Sequence, residues 1–411
     1  MTKRWKQYLF RCVLLCISLG FAILASEIAL QITHKPLVPD NLYCQHDAKL
    51  GWAKIPSRTN HFKTITYNAS ETINSYGFRG REHTIHKPSH TQRVVILGDS
   101  FAESYTVNKQ ALFSNLLENR LSKISPTEVI NTGIGGYSTD QELIVFEDTA
   151  KKFSPDITVL MFCENDVILN ITGEALYGYT KPYYQLIDNE LTLTNVPVPL
   201  SGPTSSKGIK NLLQRHSILY RKTRTAIERT PAINQIMMAI GAKHAYASSS
   251  FKQFTNNDES IEILPDIFRG WKNKLDDDYI EAWAITELLL KALKQKTSAV
   301  QSQLIVFYIT LEQGANKQAW ENTKHRYHLN DQDWHINNSA KTLSKICHKL
   351  SIAFIDPTTQ FIKAETEAKT KNKSMYYPND GHWTPEGNQL VCDILATYIE
   401  NNVSQHTMTQ Y

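Results

Sequence analysis

Apolar and polar positions alternate from about residue 93 onward in a repeating order of short apolar runs and longer amphipathic stretches. The first run, Val94-Val95-Ile96-Leu97, is mostly β-branched and ends at Gly98. The pattern predicts strands at 94–97, 129–131, 157–162, 304–309 and 353–356, and helices at 112–122, 139–152, about 279–289, 338–350 and 385–401. Uninterrupted apolar strands in such an alternation are typical of a parallel sheet that is covered on both faces. We therefore predict an α/β fold.

Two stretches do not follow this alternation. Residues 33–91, which we call the collar, have no strong period and are rich in turn residues, so we expect an irregular segment with a few short strands. Residues 167–277 are polar and mixed, with loop signals at Pro197-Val198-Pro199 and Ser201-Gly202-Pro203. We interpret them as a large insertion that forms a cap or lid on the main domain, which spans residues 92–411.

The N-terminus, residues 1–32, has the pattern of a membrane segment. Four basic residues up to Arg11 precede an uncharged run over Cys12–Ser26, and Glu27 is followed by one more apolar turn. A helix needs roughly 20 residues to span a bilayer, so a full span must include Glu27 near its outer end, where a carboxylate can reach the headgroups. The basic flank places the rest of the chain outside the cytoplasm, which is the periplasm in a Gram-negative source.

A cleaved signal peptide is the alternative interpretation of this segment. Its cleavage site would need small residues at two spaced positions, and the best pair, Gly20 and Ala22, lies too early in the apolar run. We therefore expect an uncleaved signal-anchor, a single N-terminal transmembrane helix.

Composition narrows the possible functions. The chain has 411 residues, of which 41% are hydrophobic and 20% charged, which is ordinary for a globular protein and excludes disorder. The formal net charge of +4 gives no electrostatic case for nucleic-acid binding. Neither the six cysteines nor the histidines have partners at metal-ligand spacing, so we predict no metal site.

The triplet Gly98-Asp99-Ser100 lies where the first buried strand ends and a helix should begin. A side chain there projects from the carboxyl edge of the sheet, where open α/β folds bind ligands. Ser100 is therefore a candidate nucleophile. The alternative is that Ser100 only caps the following helix.

The loop Asp380-Gly381-His382 precedes the last predicted helix. A serine nucleophile needs an imidazole to take its proton, and the imidazole needs a carboxylate that fixes its tautomer. His382 and Asp380 can supply both groups. The alternatives are a simple turn before the helix, and Asp356 as a competing acid at the end of a strand.

Two further loops can supply donors for an oxyanion. The glycine loop, Asn131–Gly136, and Glu164-Asn165-Asp166 follow successive strands, so both should reach the sheet edge that holds Ser100. A backbone N–H at a glycine and a side-chain amide are groups that stabilise a tetrahedral intermediate. Each loop taken alone could equally be a turn.

These four blocks, in this order, resemble the SGNH/GDSL hydrolase superfamily. The resemblance implies a flavodoxin-like three-layer α/β/α sandwich with a central parallel sheet. It also implies that Ser100 is the nucleophile, His382 the base and Asp380 its partner. The oxyanion hole would then consist of the Ser100 N–H, the Gly136 N–H and the Asn165 side chain, and no cofactor would be needed.

Three other segments, Leu50-Gly51-Trp52, Asn74–Gly80 and Gly135–Gln141, resemble a membrane-anchored bacterial subgroup of this superfamily. The sequence also departs from the usual family pattern. The spacing Asp380-x-His382 is shorter than the common Asp-x-x-His and is similar to the Asp-x-His-Trp loop of alginate-acetylation proteins. Glu103-Ser104 occupies the place where a glycine often follows Gly-Asp-Ser-Phe.

The sequence therefore predicts a membrane-tethered serine esterase that forms an acyl-enzyme. Its substrates would be O-acetyl or other acyl esters of an envelope polysaccharide, peptidoglycan or lipid, and Trp383 beside His382 would line the pocket. Two alternatives remain: an O-acyltransferase for cell-surface polysaccharide, and a catalytically silent envelope protein that binds a polysaccharide or a partner.

Overall fold

A computed structural model of the protein describes residues 3–33, 43–173, 179–188, 190–200, 264–378 and 380–407, with isolated positions between 217 and 223. The chain divides into two compact units, Met1–Leu42 with Gly202–Ala247 and Tyr43–Ser201 with Ser248–Tyr411. Much of the predicted lid at 167–277 lies outside the described residues.

The described elements are numbered in chain order. The strands are β1 (Cys44–Asp47), β2 (Gly51–Lys54), β3 (Arg58–Lys63), β4 (Asn68–Ile73), β5 (Gln92–Gly98), β6 (Thr127–Asn131), β7 (Ile157–Phe162), β8 (Tyr183–Ile187), β9 (Glu190–Thr194), β10 (Gln303–Tyr308) and β11 (Ala353–Ile355). The helices are α1 (Lys3–Thr33), α2 (Ser100–Glu103), α3 (Phe113–Leu121), α4 (Thr139–Asp148), α5 (Glu164–Leu169), α6 (Asp277–Ala299), α7 (Glu312–Ala315), α8 (Lys317–Tyr327), α9 (Asn338–Lys349), α10 (Thr358–Lys369) and α11 (Pro385–Thr407).

Helix α1 contains the predicted apolar segment. Its window Val13–Leu30 has a mean hydropathy of 2.3, which by length and composition is enough to cross a membrane, although a signal sequence passes the same test. Within this unit the Glu27 carboxylate accepts hydrogen bonds from the Ser217 hydroxyl at 2.7 Å and the Leu219 amide at 3.0 Å. The apolar N-terminal helix is thus confirmed, while its cleavage state and its topology stay predictions.

The main unit is built on a five-stranded sheet with the order β11-β10-β7-β5-β6, in which every pair is parallel. Numbered along the chain, the sheet has the order 2-1-3-4-5, which is that of flavodoxin-like folds. The order reverses at β5, since β6 lies on one side of it and β7 on the other. Ligands of such folds bind at the carboxyl ends of the strands beside this switch point.

Both faces of the sheet are buried, as the uninterrupted apolar strands predicted. Along β5, Val94 and Ile96 face a core formed with α3, α10 and α11. Val95 and Leu97 face the opposite core, formed with α4, α6 and α9. Successive strand residues point to opposite faces, so this division follows directly from strand geometry. The structure therefore confirms the parallel α/β sheet between two helical layers.

The collar contains short strands, as expected, and they pair as two antiparallel hairpins, β1–β2 and β3–β4. Helices α8 and α10 were not predicted. The sequence of α8 lacks the apolar stripe that reveals an amphipathic helix, and Thr323 is the one residue of this helix that is buried.

Candidate active site

Ser100 begins α2 at the carboxyl end of strand β5. The helix is capped by Asp99, whose carboxylate accepts a hydrogen bond from the Phe101 amide at 2.8 Å. The capping role that Ser100 could have filled is thus taken by its neighbour. The Ser100 hydroxyl is instead hydrogen-bonded to the His382 ring, with 2.8 Å between Oγ and Nε2.

The His382 ring connects Ser100 to Asp380. Its Nδ1 lies 2.7 Å from an Asp380 carboxylate oxygen, while Nε2 faces the serine. Burial opposes ionisation of Asp380, but the hydrogen bond and the charge of His382 outweigh it and lower the pKa of this carboxyl. The carboxylate of Asp356, the competing acid, accepts hydrogen bonds from Thr358 instead. The structure thus connects a hydroxyl, an imidazole and an ionised carboxylate by two successive hydrogen bonds.

Aromatic residues that the sequence did not single out surround the imidazole. The Tyr67 hydroxyl, from the collar, donates to the second Asp380 oxygen at 3.3 Å. The Tyr105 ring meets the His382 ring edge-on, with 5.1 Å between centroids, and the Phe101 ring lies 4.6 Å away. Tyr67 is 313 residues from Asp380, so no local pattern could have revealed the contact.

The glycine loop packs directly on α2. A Cβ atom at Gly133 would lie 2.6 Å from both the Ala102 side chain and the Glu103 amide, which no real side chain tolerates. Gly136 has a φ of +81°, a conformation that favours glycine. These two positions explain why the loop is glycine-rich: it approaches the helix closely and then turns sharply.

Asn165 lies at the start of α5, which follows β7 on the other side of the switch point. Its amide nitrogen donates to the second oxygen of Asp99 at 3.3 Å. Burial raises the pKa of Asp99, partly offset by the hydrogen bond from Phe101. A side-chain amide nitrogen carries two N–H donors, and the bond to Asp99 uses one of them.

Trp383 is buried, with 1% of its surface exposed, and its ring packs edge-on against Phe101 and in a stacked arrangement against Phe361. This packing leaves little indole surface for a substrate. The burial favours a role in holding the His382 loop over the pocket-wall role suggested by its position in the sequence.

A group of buried carboxyls lies behind the site. Glu142 and Asp166 both have pKa values well above the ordinary range, chiefly because of burial and in addition because of neighbouring carboxylates. Lys181 is ion-paired with Asp140 in the same group. Within the described residues, no set of histidine, cysteine or acidic side chains is arranged to hold a metal ion.

Comparisons with known proteins identify the family of the chain. A sequence model of the GDSL-like lipase/acylhydrolase family matches residues 96–390. No curated protein sequence matches the chain. Among solved structures, an acetyl xylan esterase, AlAXEase, is similar at 14% identity and a TM-score of 0.38, covering 75% of this chain and 99% of its own.

Two further similar structures have comparable scores. The lipase/acylhydrolase from Enterococcus faecalis has 11% identity and a TM-score of 0.36, with 75% of this chain and 96% of that chain covered. The psychrotrophic esterase EstA from Pseudoalteromonas sp. has 9% identity and a TM-score of 0.36, with 76% and 99% covered. The family match spans well over half of the chain and includes all four motif blocks. The chain therefore belongs to the GDSL-like lipase/acylhydrolase family and is a hydrolase that acts on ester bonds.

Proposed function

We propose that the protein is a serine esterase in which Ser100, His382 and Asp380 form the catalytic triad. The observation that carries this proposal is the pair of short bonds that His382 makes, 2.8 Å to the serine and 2.7 Å to the carboxylate. Nε2 of the imidazole faces the serine and Nδ1 faces the carboxylate, which is what a general base between a nucleophile and an orienting carboxylate requires.

In the first half-reaction the Ser100 oxygen attacks the ester carbonyl carbon while its proton passes to Nε2 of His382. The carbonyl oxygen becomes an oxyanion that the N–H groups of Ser100, Gly136 and Asn165 stabilise. When the tetrahedral intermediate collapses, His382 returns the proton to the leaving alcohol and an acyl-serine remains. Water then attacks the acyl-serine by the same steps, with His382 again taking and returning one proton.

Asp380 supports His382 in two ways. Its hydrogen bond holds the proton on Nδ1, which leaves Nε2 free to accept from the serine. Its negative charge stabilises the imidazolium that forms during attack. The lowered pKa of Asp380 keeps this charge in place throughout the neutral range.

The substrates we propose are O-acetyl or other acyl esters of an envelope polysaccharide, peptidoglycan or lipid. The apolar helix α1 supports this, because a tether there would hold the site near a membrane surface. The short Asp380-x-His382 spacing supports an O-acetylated polysaccharide. Transfer of the acyl group to a second alcohol in place of water would use the same acyl-enzyme. An assay that contains an acceptor sugar therefore distinguishes a transferase, which acylates the sugar, from an esterase, which releases the free acid.

The test is acetate release by the full chain in mild detergent, with acetylated polysaccharide and p-nitrophenyl acetate as substrates. We expect release that disappears in Ser100→Ala and persists in Ser125→Ala, a control at an exposed serine. Formation of an acetylated acceptor in place of acetate would assign transfer. Equal activity in the two serine variants would refute the proposed nucleophile, and a folded but inactive wild type would favour the binding protein.

A further inference from the structure

The collar contacts the glycine loop through Trp52, a residue of β2. The indole N–H of Trp52 donates to the Gly135 carbonyl at 3.1 Å, and the side chain is fully buried. The Tyr137 hydroxyl donates back to the Trp52 carbonyl at 2.6 Å, and the Gln141 amide donates to the Leu50 carbonyl at 2.7 Å. The first hairpin of the collar is therefore joined to the end of the glycine loop and to the residues that follow it by three hydrogen bonds.

The carbonyl that Trp52 binds belongs to the same peptide group as the Gly136 N–H. A peptide group is planar and trans, so its C=O and N–H point in opposite directions from one rigid plane. A donor that fixes the Gly135 oxygen therefore also fixes the direction of the Gly136 N–H, the group proposed as an oxyanion donor.

The other side of Gly135 is held by Glu103. The Gly135 amide donates to a Glu103 carboxylate oxygen at 2.5 Å, and Lys54 donates to the other oxygen at 2.6 Å. Lys54 lies two residues after Trp52 in β2, and Glu103 lies in α2 with Ser100. Both restraints on Gly135 thus connect the loop to the collar and to the nucleophile helix.

Such restraints matter because glycine residues sample more backbone conformations than any others. Successive glycines at 135 and 136 would leave the peptide between them free to rotate if nothing held it. Stabilisation of an oxyanion depends on donors that are already oriented before the reaction begins.

We propose that Trp52 is a positioning residue for the oxyanion hole, because its indole N–H orients the Gly135–Gly136 peptide so that the Gly136 N–H points at the substrate oxygen. This inference rests on the proposed function. It makes the collar part of the catalytic apparatus, although the family match begins only at residue 96.

The test replaces Trp52 with phenylalanine, which removes the indole N–H and keeps an aromatic ring. The matched control is Trp283→Phe, because the Trp283 indole N–H is buried and makes no hydrogen bond among the described residues. Loss of a whole oxyanion donor costs about 10²–10³ in kcat, so a misaligned donor should cost about 10- to 100-fold with KM changed less than about threefold. Trp283→Phe should stay within about twofold of wild type.

A second readout does not depend on turnover. Benzeneboronic acid accepts an electron pair from the Ser100 oxygen, whose proton passes to His382, and the tetrahedral boronate places an oxygen in the oxyanion hole. Its dissociation constant, measured by calorimetry, should rise in Trp52→Phe by about the same factor as kcat falls, since both report the tetrahedral state. Thermal unfolding of each variant is the control that checks whether it is folded.

Several results would overturn the inference. One is that folded Trp52→Phe has the same kcat and the same boronate affinity as Trp283→Phe. Another is that only the KM of Trp52→Phe changes. A wild type that binds boronate but hydrolyses no ester would refute the proposed function alone, and the boronate titration would still decide the role of Trp52. A wild type that does not bind boronate would overturn both.

Discussion

Replacing Lys54 with methionine should destabilise the protein in a way that depends on pH. The Lys54 ammonium is buried between two buried carboxylates, at 3.0 Å from Glu71 and 2.6 Å from Glu103. Methionine has a similar length and no charge, so both carboxyls would lose this cation. Removing one partner of a buried ion pair costs about 3–5 kcal/mol. At about 2.1 cal/mol/K per residue, a folded unit of roughly 320 residues would then unfold about 4–7 °C lower.

The sign of the pH dependence follows from the carboxyls. In the wild type, burial raises the pKa of Glu103 to about 7 against the attraction of Lys54, whereas the charge of Lys54 and nearby groups overcomes burial and lowers the pKa of Glu71. Without Lys54 the pKa of Glu103 rises further above its value in the unfolded chain, and the pKa of Glu71 rises from its lowered value because burial then meets less opposition. A group with a raised folded pKa contributes stability that is present below its unfolded pKa and lost as pH rises through its folded pKa.

The difference between wild type and Lys54→Met should therefore be small near pH 5 and largest near pH 8. Each carboxyl contributes up to about 1.4 kcal/mol per pH unit within its window. The assay is thermal unfolding of the full chain in detergent, at one scan rate, from pH 5 to pH 8. Lys123→Met, at an exposed lysine, is the control, and Lys54→Met combined with Glu103→Gln should recover part of the loss. A gap in unfolding temperature below about 1 °C at pH 8, or one that does not change with pH, would refute the reasoning.

Further predictions concern the site itself. Asp380→Asn should lower kcat about 10³-fold, because an amide cannot stabilise the imidazolium, whereas Asp356→Asn should stay within about twofold in the same assay. Equal losses of kcat in the two variants would show that Asp380 is not the specific partner of His382. Asn165→Ala should lower kcat about 10²-fold with little change in KM, because it removes one oxyanion donor. A KM effect alone, measured by steady-state kinetics, would instead indicate ordinary substrate binding.

The sheet and its loops could be predicted because their signals are local. Each buried strand is a short apolar run, and the blocks at Gly98-Asp99-Ser100 and Asp380-Gly381-His382 directly adjoin elements that the pattern already predicts. The strand at 157–162 was predicted with the bounds that the structure has. The local hydrophobic period therefore predicted the fold, and the motifs at the ends of its strands and helices, together with the family resemblance, supplied the candidate site residues.

The helices that went unpredicted lack such a signal. Helix α8 is polar along most of its length. It packs on the main unit through a long-range contact between the Trp320 and Trp271 rings, which meet edge-on with 5.6 Å between their centroids. A contact between segments that are far apart in the chain does not produce a hydrophobic period in the sequence of either segment. Tertiary packing, and not local propensity, explains this helix.

The role of the collar could not be predicted for the same reason. Trp52 lies 83 residues from Gly135, and Lys54 lies 49 residues from Glu103. From sequence, Glu103 was only a departure from the family pattern, whereas in the structure its buried carboxylate joins the collar to the glycine loop. The resemblance singled out Leu50-Gly51-Trp52 and Gly135–Gln141 as separate segments, and the structure places them in contact.

Covalent labelling of the full chain with a fluorophosphonate probe, followed by mapping of the modified peptide, tests the central claim most directly. The account predicts phosphonylation at Ser100, no labelling in Ser100→Ala, and slow labelling in His382→Ala, since His382 takes the serine proton during attack. His348→Ala, at an exposed histidine, should label at the wild-type rate. Modification of a different residue, or labelling of Ser100→Ala at the wild-type rate, would contradict the account.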